Sequence, residues 1–353
     1  MLRPRFAPRR RTLLATALVA PLAAATRADA AGPPLRRIAF GSCCHQEEDQ
    51  GIWSAIHAWR PEVMVMGGDN VYGDSRSAAL RELRAAYDRA EANPGFARMK
   101  RDVPMLAIWD DHDYGRNDAG AEFPWKQQSK DLFCEFWRVA RDDPRRRREG
   151  LHHAAVFGPP GRRTQIVLLD TRWFRSKLRR TDRFGAPGRE RYVPDDDAAK
   201  TMLGDAQWTW LEEQLRRPAE LRLIVSSIQV LAEGHGWERW GNLPRERARL
   251  LDLIAATRAS GVVFLSGDRH LGAFYRQADD VPYPLHEMTS SGLTKSYRSA
   301  EPGPNRLGET LGEINFGTVG VDWSAGQIEL ALRDRRGEAQ RLLALDLAAL
   351  RAA

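Results

Sequence analysis

The sequence contains very little cysteine. Its 353 residues include only three, Cys43, Cys44 and Cys134. An odd number leaves at least one thiol unpaired, and adjacent cysteines rarely bridge each other because their Cβ vectors diverge. A disulfide framework is therefore not expected, and a thiolate that serves as a ligand becomes a candidate.

The sequence also lacks long apolar runs, apart from one near its start. The one near the start, residues 13–25, carries no charge but is shorter than the ~20 residues of a membrane span. It follows a basic head and precedes the small-residue site Ala28-Asp29-Ala30, an order that predicts a signal peptide over residues 1–30. Arg10 and Arg11 fit a twin-arginine signal; an Arg-rich secretory signal is the alternative. We expect a periplasmic or secreted protein with no stable membrane anchor.

The positive charge of the chain belongs mostly to that segment. Residues 1–30 hold six Arg and one Asp, and the rest of the chain holds 48 basic and 46 acidic residues, a net charge near +2. The high pI is therefore no evidence for nucleic-acid binding. We expect no nucleic-acid partner, and a monomer with one catalytic domain over residues 31–353.

Apolar runs alternate with helical patterns after the signal, which predicts an α/β layered domain. Near the end, three successive strands predict a β-meander, although the last of them could instead be a helix. Residues 177–200 are polar and rich in Pro and Gly, which predicts a surface loop. The predicted strands are residues 37–42, 63–67, 105–109, 164–169, 221–227, 261–266, 318–323, 327–333 and 340–347, and the predicted helices are residues 51–59, 78–92, 126–140, 205–216 and 244–259.

Four of the predicted strands end in polar clusters, at residues 41–43, 67–72, 110–113 and 266–270. Ligands of α/β sheets bind outside the carboxyl ends of the strands, and carboxylates gathered there repel one another unless a cation holds them. A single Gly-Asp turn is weak evidence, but four such clusters after apolar strands are improbable as coincidence. They predict a site for hard metal ions.

Seven short motifs occur along the chain, and together they resemble a known family. They are Phe40-Gly41-Ser42-Cys43, Gly67-Gly68-Asp69-Asn70-Val71-Tyr72, Trp109-Asp110-Asp111-His112-Asp113, Leu169-Asp170-Thr171-Arg172, Leu203-Gly204-Asp205-Ala206-Gln207-Trp208-Thr209-Trp210-Leu211, Ser266-Gly267-Asp268-Arg269-His270 and Asn315-Phe316-Gly317. The set resembles the calcineurin-like metallophosphoesterases, and more narrowly their alkaline phosphatase D (PhoD-like) branch, over residues 36–333. The family implies a four-layer αββα sandwich with two mixed β-sheets and a binuclear metal centre between them.

The resemblance also implies the metals and their ligands. In this branch a Cys replaces the usual Asp-x-His after the first strand, and Cys43 rather than Cys44 fits the pattern. The family pairs Fe³⁺ with Ca²⁺; a thiolate and a phenolate suit iron, and clustered carboxylates suit calcium. Asp110 and Asn117 are weaker candidates for the second metal. The predicted ligands are Cys43, Asp69, which would bridge the metals, Tyr72, Asp111, Asp268 and His270.

Two residues are candidates for catalysis. His112 would protonate the leaving oxygen or stabilise the transition state, and its alternative is a structural His bonded to the nearby backbone. Arg172 would hold a phosphate oxygen by a bidentate contact, and its alternative is a salt bridge. Residues 233–242 resemble an active-site loop, in which His235 could face the pocket.

These inferences predict an exported hydrolase that cleaves small phosphate mono- and/or diesters with metal-activated water. A phosphodiesterase or phospholipase-type enzyme on cell-wall or lipid phosphodiesters is an alternative. A non-catalytic binding protein on a degenerate fold is a third reading, but such a protein should have lost ligands that this sequence keeps. The first strand follows the signal closely, which leaves no room for the N-terminal β-sandwich of founding members, so the pocket rim and the substrate are left open.

Overall fold

Two mixed β-sheets form the centre of the computed structural model, which describes residues 32–299, 301 and 303–352. The predicted signal peptide, residues 1–30, lies outside these residues. The strands are β1 (Arg37–Gly41), β2 (Val63–Gly67), β3 (Met105–Ile108), β4 (His153–Phe157), β5 (Thr164–Leu168), β6 (Leu221–Ser226), β7 (Val262–Ser266), β8 (Gly272–Gln277), β9 (Leu285–Ser290), β10 (Arg306–Leu311), β11 (Asn315–Asp322), β12 (Gln327–Asp334) and β13 (Ala339–Asp346). The six-stranded sheet has the order β13-β12-β11-β1-β2-β3, and the seven-stranded sheet has the order β10-β8-β9-β7-β6-β5-β4.

Helices lie in the connections that follow β1, β2, β3, β5 and β6. They are α1 (Ile52–Trp59), α2 (Arg81–Ala92), α3 (Pro94–Asp102), α4 (Asp111–Tyr114), α5 (Lys126–Phe136), α6 (Gly204–Leu215) and α7 (Pro244–Ala256), with 3₁₀ turns at Pro144–Arg146, Trp240–Asn242 and Leu347–Leu350. Strands β1, β2 and β3 are parallel neighbours, as are β5, β6 and β7. Such crossovers place their helices on one face of the sheet. No helix among the described residues is long and apolar enough to cross a membrane.

The two sheets pack face to face, and each carries a glycine at a point of close contact with the other. A Cβ placed on Gly317 in β11 would lie 2.7 Å from Met288 Cε in β9. A Cβ placed on Gly272 in β8 would lie 2.9 Å from Leu332 Cδ1 in β12. Because the inner faces cover each other, the crossover helices lie on the outer faces, and the predicted αββα sandwich with two mixed sheets is confirmed.

The predicted β-meander is also confirmed. Strands β11, β12 and β13 pair antiparallel in succession, and the segment that could have been a helix is a strand. Residues 177–200 contain neither a helix nor an extended strand, in agreement with the predicted loop.

Several predicted helix boundaries were wrong. The helices predicted over residues 126–140 and 244–259 end at Phe136 and Ala256. Arg138 and Arg258 have positive φ angles of 52° and 51°, a left-handed conformation that ends a helix. Helix α3 was not predicted, although Pro94 at its first turn and the Asn93 cap, which accepts two backbone N–H groups, are its signals.

We expect Gly317→Val to lower the free energy of unfolding by about 1–3 kcal/mol, the usual cost of overpacking a core. The added side chain would meet Met288 of the opposite sheet. Gly320→Val, three residues along the same strand, is the matched control, because a Cβ there stays 3.8 Å from its nearest neighbour. Urea unfolding followed by circular dichroism measures both; equal losses would contradict the packing described here.

Candidate metal centre

The carboxyl ends of parallel strands from both sheets meet at one edge of the sandwich. Ser42 follows β1, and its carbonyl accepts a hydrogen bond of 3.1 Å from the Leu293 N–H beyond β9. Asp110 follows β3, and its Oδ1 accepts a hydrogen bond of 2.5 Å from Ser227 Oγ beyond β6. The polar clusters that follow the apolar strands are therefore brought together from different sheets.

A first group of donor atoms consists of Cys43, Asp69 and His270, whose ligand atoms lie within 4.8 Å of one another. Cys43 Sγ is 3.5 Å from Asp69 Oδ2 and 3.0 Å from Ser291 Oγ. Tyr72 Oη lies 3.3 Å from His270 Nε2. This group offers a thiol, a phenol, an imidazole and a carboxylate to one point.

The imidazole of His270 is held with its free nitrogen toward that point. Its Nδ1 lies 2.9 Å from the carbonyl oxygen of Lys295. A carbonyl can only accept, so Nδ1 carries the proton and Nε2 keeps its lone pair. The backbone N–H of His270 donates to Ser291 Oγ at 2.8 Å. Metal-binding histidines are oriented by such contacts in proteins.

Two further groups adjoin the first one and consist mainly of carboxylates. Asp69 shares one with Asp111 and His112, and Asp111 shares the other with Asp110 and Asp268. The structure thus brings together the six residues that the sequence predicted as ligands, together with the weaker candidate Asp110. The other weaker candidate, Asn117, lies nearby: its backbone N–H donates to Asp74 Oδ1 at 2.6 Å.

Several of these residues have a left-handed backbone. Cys43, Asp69, Asp268 and His270 have φ angles of 58°, 50°, 69° and 54°. Non-glycine residues in this region cost of order 1–3 kcal/mol each and persist where the surroundings hold them. At the first turn, the N–H groups of Cys43 and its successor donate to the carbonyls of Gly68 and Asp69. The strained turns aim side chains from separate strands at one place.

Unsatisfied buried atoms show that the residues fit a cation. Asp110 Oδ2 and Asp111 Oδ1 are buried without a hydrogen-bond partner. Burial and then the charge of Asp111 raise the pKa of Asp69 well above its usual value. Burial is also the main reason that the pKa values of Asp110 and Asp268 rise to about 7. A bound cation would satisfy these oxygens and favour the ionised carboxylates.

His112 stands at the mouth of the site. Its backbone N–H donates to Asp69 Oδ1 at 3.3 Å, and its Nδ1 lies 2.6 Å from Asp74 Oδ2. The ring is therefore bonded to a carboxylate, not to the nearby backbone, which was the structural alternative. Its ring centroid lies 4.2 Å from that of Tyr72.

Arg172 differs from its sequence-based prediction. The side chain is completely buried. Its Nε donates to Asp110 Oδ1 at 2.6 Å, its Nη1 lies 2.7 Å from Glu238 Oε2, and Arg175 lies 2.9 Å from the other oxygen of Glu238. A guanidinium bonded to two buried carboxylates favours the salt-bridge alternative, and with it a positioning role, over the predicted phosphate contact.

The roles of two important residues were not predicted from the sequence. The carboxylate of Asp113 accepts the backbone N–H groups of Asp69, Asn70 and Asp110, and so fixes the turns after β2 and β3 to each other. Glu238 comes from the loop identified as active-site-like. In that loop His235 was the candidate, but it is buried and bonded to Gln229 at 2.9 Å.

Comparisons with known proteins agree with the predicted family. A model of the family described as PhoD-like phosphatase matches residues 38–316. Alkaline phosphatase D of Bacillus subtilis (strain 168) is 23% identical over 282 residues, which are 69% of this chain and 47% of that protein. The chain thus spans about half the length of this curated relative.

Two solved structures share the fold. "Structure of PhoD" superposes with a TM-score of 0.68 at 18% identity, covering 91% of this chain and 72% of that one. "GAP50 the anchor in the inner membrane complex of Plasmodium" superposes with a TM-score of 0.58 at 13% identity, covering 91% of this chain and 90% of that one. At these identities the likeness shows the fold alone.

We expect Arg172→Met to lower the free energy of unfolding by about 3–5 kcal/mol, because it removes the buried cation that pairs with Asp110 and with one oxygen of Glu238, and leaves Glu238 with Arg175 alone. Arg245→Gln is the control: it removes an exposed ion pair with Asp196, and such pairs contribute about 0–1 kcal/mol. Urea unfolding measures both variants. If Arg172→Met unfolds like the wild type and only raises KM, Arg172 contacts the substrate phosphate directly, as the sequence predicted.

Proposed function

Because the chain belongs to the PhoD-like phosphatase family, we propose that it is an exported, metal-dependent hydrolase of small phosphate mono- and/or diesters. The observation that carries the proposal is that the six predicted ligands come together from three strand ends in one sheet and one in the other. Two buried carboxylate oxygens among these side chains and the adjacent Asp110 have no hydrogen-bond partner. We further propose that it acts in the periplasm or outside the cell, as a monomer without a membrane anchor or nucleic acid.

The proposed metals follow from the donor atoms. Cys43, Tyr72 and His270 would hold Fe³⁺, which accepts thiolate, phenolate and imidazole ligands. Asp111 and Asp268, with Asp110 Oδ2 beside them, would hold Ca²⁺, which prefers carboxylate oxygens. Asp69 would bridge the two ions, since it belongs to a donor group on each side.

A binuclear centre in this place supplies Lewis acidity, an activated water and neutralisation of the extra charge of the transition state. The chain supplies position and protons. Asp113 and Arg172 hold the turns that carry the ligands, and the protonated Nδ1 of His270 fixes the direction of its ring. These contacts set the geometry before substrate binds.

His112 is the proposed proton donor. Asp74 holds its Nδ1, which leaves Nε2 to carry the proton that the leaving oxygen receives. The carboxylate of Asp74 stabilises the charged ring, as in other pairs of an acid and a catalytic histidine. His112 also lies beside Asp69, the proposed bridging ligand, and this position supports the role.

Two alternatives are tested by the experiment described in the next paragraph. A phosphodiesterase or phospholipase-type enzyme on cell-wall or lipid phosphodiesters would use the same residues with a different rim. A non-catalytic protein could also keep this fold, and one protein that shares it, GAP50, is an anchor in the inner membrane complex of Plasmodium. The complete ligand set favours an enzyme over that reading.

We expect Cys43→Ala to lose bound iron together with activity, and Cys44→Ala to keep both. The two thiols are adjacent and buried, but only Cys43 lies in a donor group; Cys44 Sγ lies 3.6 Å from Gln50 Oε1 instead. Elemental analysis measures the metals, and hydrolysis of p-nitrophenyl phosphate and bis-p-nitrophenyl phosphate measures activity. Iron and calcium in the wild type, with turnover lost on chelation, support the proposal, and the two rates decide between monoester and diester.

Two outcomes would count against this assignment. If Cys44→Ala loses iron and Cys43→Ala keeps it, the thiol ligand is the wrong one. A wild-type protein with neither metal nor turnover of either ester would favour the non-catalytic protein.

We expect His112→Asn to slow hydrolysis of an alkyl phosphate by about 10²–10⁴-fold, the range of general acid catalysis. The loss on p-nitrophenyl phosphate should be much smaller, because p-nitrophenolate leaves without a proton. Asp74→Asn should show the same selectivity in weaker form. A loss that is equal for both substrates would assign His112 to structure or binding, and circular dichroism with metal analysis would confirm that the variant is folded and loaded.

A further inference from the structure

A cationic cavity lies beside the metal centre and has no part in the proposed chemistry. Its volume is about 460 Å³, and four basic side chains line it, from Arg116, Lys177, Arg180 and Arg191. Three of them come from the polar segment 177–200 that the sequence marked only as a loop. Concave sites of one charge concentrate ions of the opposite charge.

The cavity shares a wall with the metal centre. Asp118 lines the cavity, and its carboxylate lies within 4.8 Å of ligand atoms of Asp111 and Glu238. The backbone N–H of Asp118 donates to Asp111 Oδ2 at 2.6 Å. The next lining residue, Asn117, donates its N–H to Asp74 Oδ1, and Asp74 also holds His112. The cavity therefore adjoins the metal centre through Asp118 and the turn that Asp74 holds.

The acidic groups of the cavity are already occupied. Asp118 Oδ2 accepts from Arg191 Nη1 at 2.5 Å and from Tyr192 Oη at 2.7 Å. Glu122 Oε1 accepts the N–H of Gly120 and lies 3.7 Å from Arg116.

The other two cations have no such partner. Lys177 and Arg180 are exposed, and neither side chain makes an ion pair within the described residues. Two exposed cations are thus left for a ligand.

We propose that this cavity binds a second phosphate group of the substrate, so that the enzyme prefers esters in which a distal phosphate accompanies the one that is hydrolysed. The inference rests on the proposed phosphoesterase function. Lys177 and Arg180 donate to the distal phosphate, and Arg116 adds charge at the wall.

The rim of the cavity indicates what separates the two phosphates. Leu178 and Phe184 line the cavity, and Phe184 is 75% exposed although it is a large apolar side chain. Exposed aromatic groups at a site often contact the apolar part of a ligand. An alkyl spacer between the phosphates is therefore a suitable probe.

The test uses α,ω-alkanediol bisphosphates of increasing spacer length and the matching alkyl monophosphates. The wild type should favour the bisphosphate at one spacer length, beyond the statistical advantage of two equivalent ends. The double variant Lys177→Gln, Arg180→Gln should lower kcat/KM for that bisphosphate by about tenfold or more, since each hydrogen bond to a charged group has that magnitude. It should leave the monophosphate nearly unchanged.

The matched control is Arg179→Gln, Arg183→Gln. It removes the same charge from exposed positions of the same segment that do not line the cavity. Isothermal calorimetry of the metal-loaded protein measures the Kd of each compound beside the rates. Equal affinity of the wild type for bisphosphate and monophosphate, or equal losses in both double variants, overturns the proposal. Absence of all hydrolysis would instead contradict the proposed function, and the calorimetric Kd values would still decide whether the cavity binds the distal phosphate.

Discussion

The structure is organised around the mutual repulsion of buried carboxylates. Asp69, Asp110, Asp111 and Asp268 converge from separate strand ends, and burial together with their neighbours' charges disfavours ionisation of three of them. Such a cluster is stable only if something nearby carries positive charge. Part of that charge is built in as Arg172, whose guanidinium lies against Asp110. Asp110 Oδ2 and Asp111 Oδ1 are left without a partner, and these are the atoms that a cation would bind.

The cost of this arrangement is distributed over the backbone. Both sheets stop short of the site, and the residues that follow β1, β2 and β7 turn through left-handed conformations. Close packing of the sheets at Gly317 and Gly272 brings the two sets of strand ends near enough for side chains to meet. Strain at the turns is held by bonds between them, such as those that Asp113 accepts. Packing, turns and donor groups are therefore parts of one construction.

Much of the fold and most of the donor set could be predicted from the sequence. Buried strands were recognisable as apolar runs, and the polar clusters directly after them contain Cys43, Asp69 and Asp268, which the family resemblance implied as ligands. Their common position followed because carboxyl ends of parallel strands lie at one edge. Helix ends at Arg138 and Arg258 could not be predicted, because Arg has no preference for the left-handed φ angles that these residues adopt.

Contacts between distant segments were beyond the sequence as well. Glu238 reaches Arg172 from a loop that follows β6, and Asp74 reaches His112 across the turns after β2 and β3. Neither pairing has a spacing rule, since each depends on how separate connections fold over the same edge. The same limit applies to the role of Arg172: the motif placed it after β5 but could not show which carboxylates surround it.

Within residues 172–180, buried and exposed cationic side chains have different roles. Arg172 and Arg175 are buried and share Glu238, so their charges are permanently neutralised by the fold. Exchanging such a partner for a substrate phosphate would leave a carboxylate buried alone, at a cost of several kcal/mol. Lys177 and Arg180 carry the same charge a few residues later but remain in solvent, where binding and releasing an anion changes little else. Fixed charges therefore hold the site together, and only exposed ones are free to recognise a ligand that must leave again.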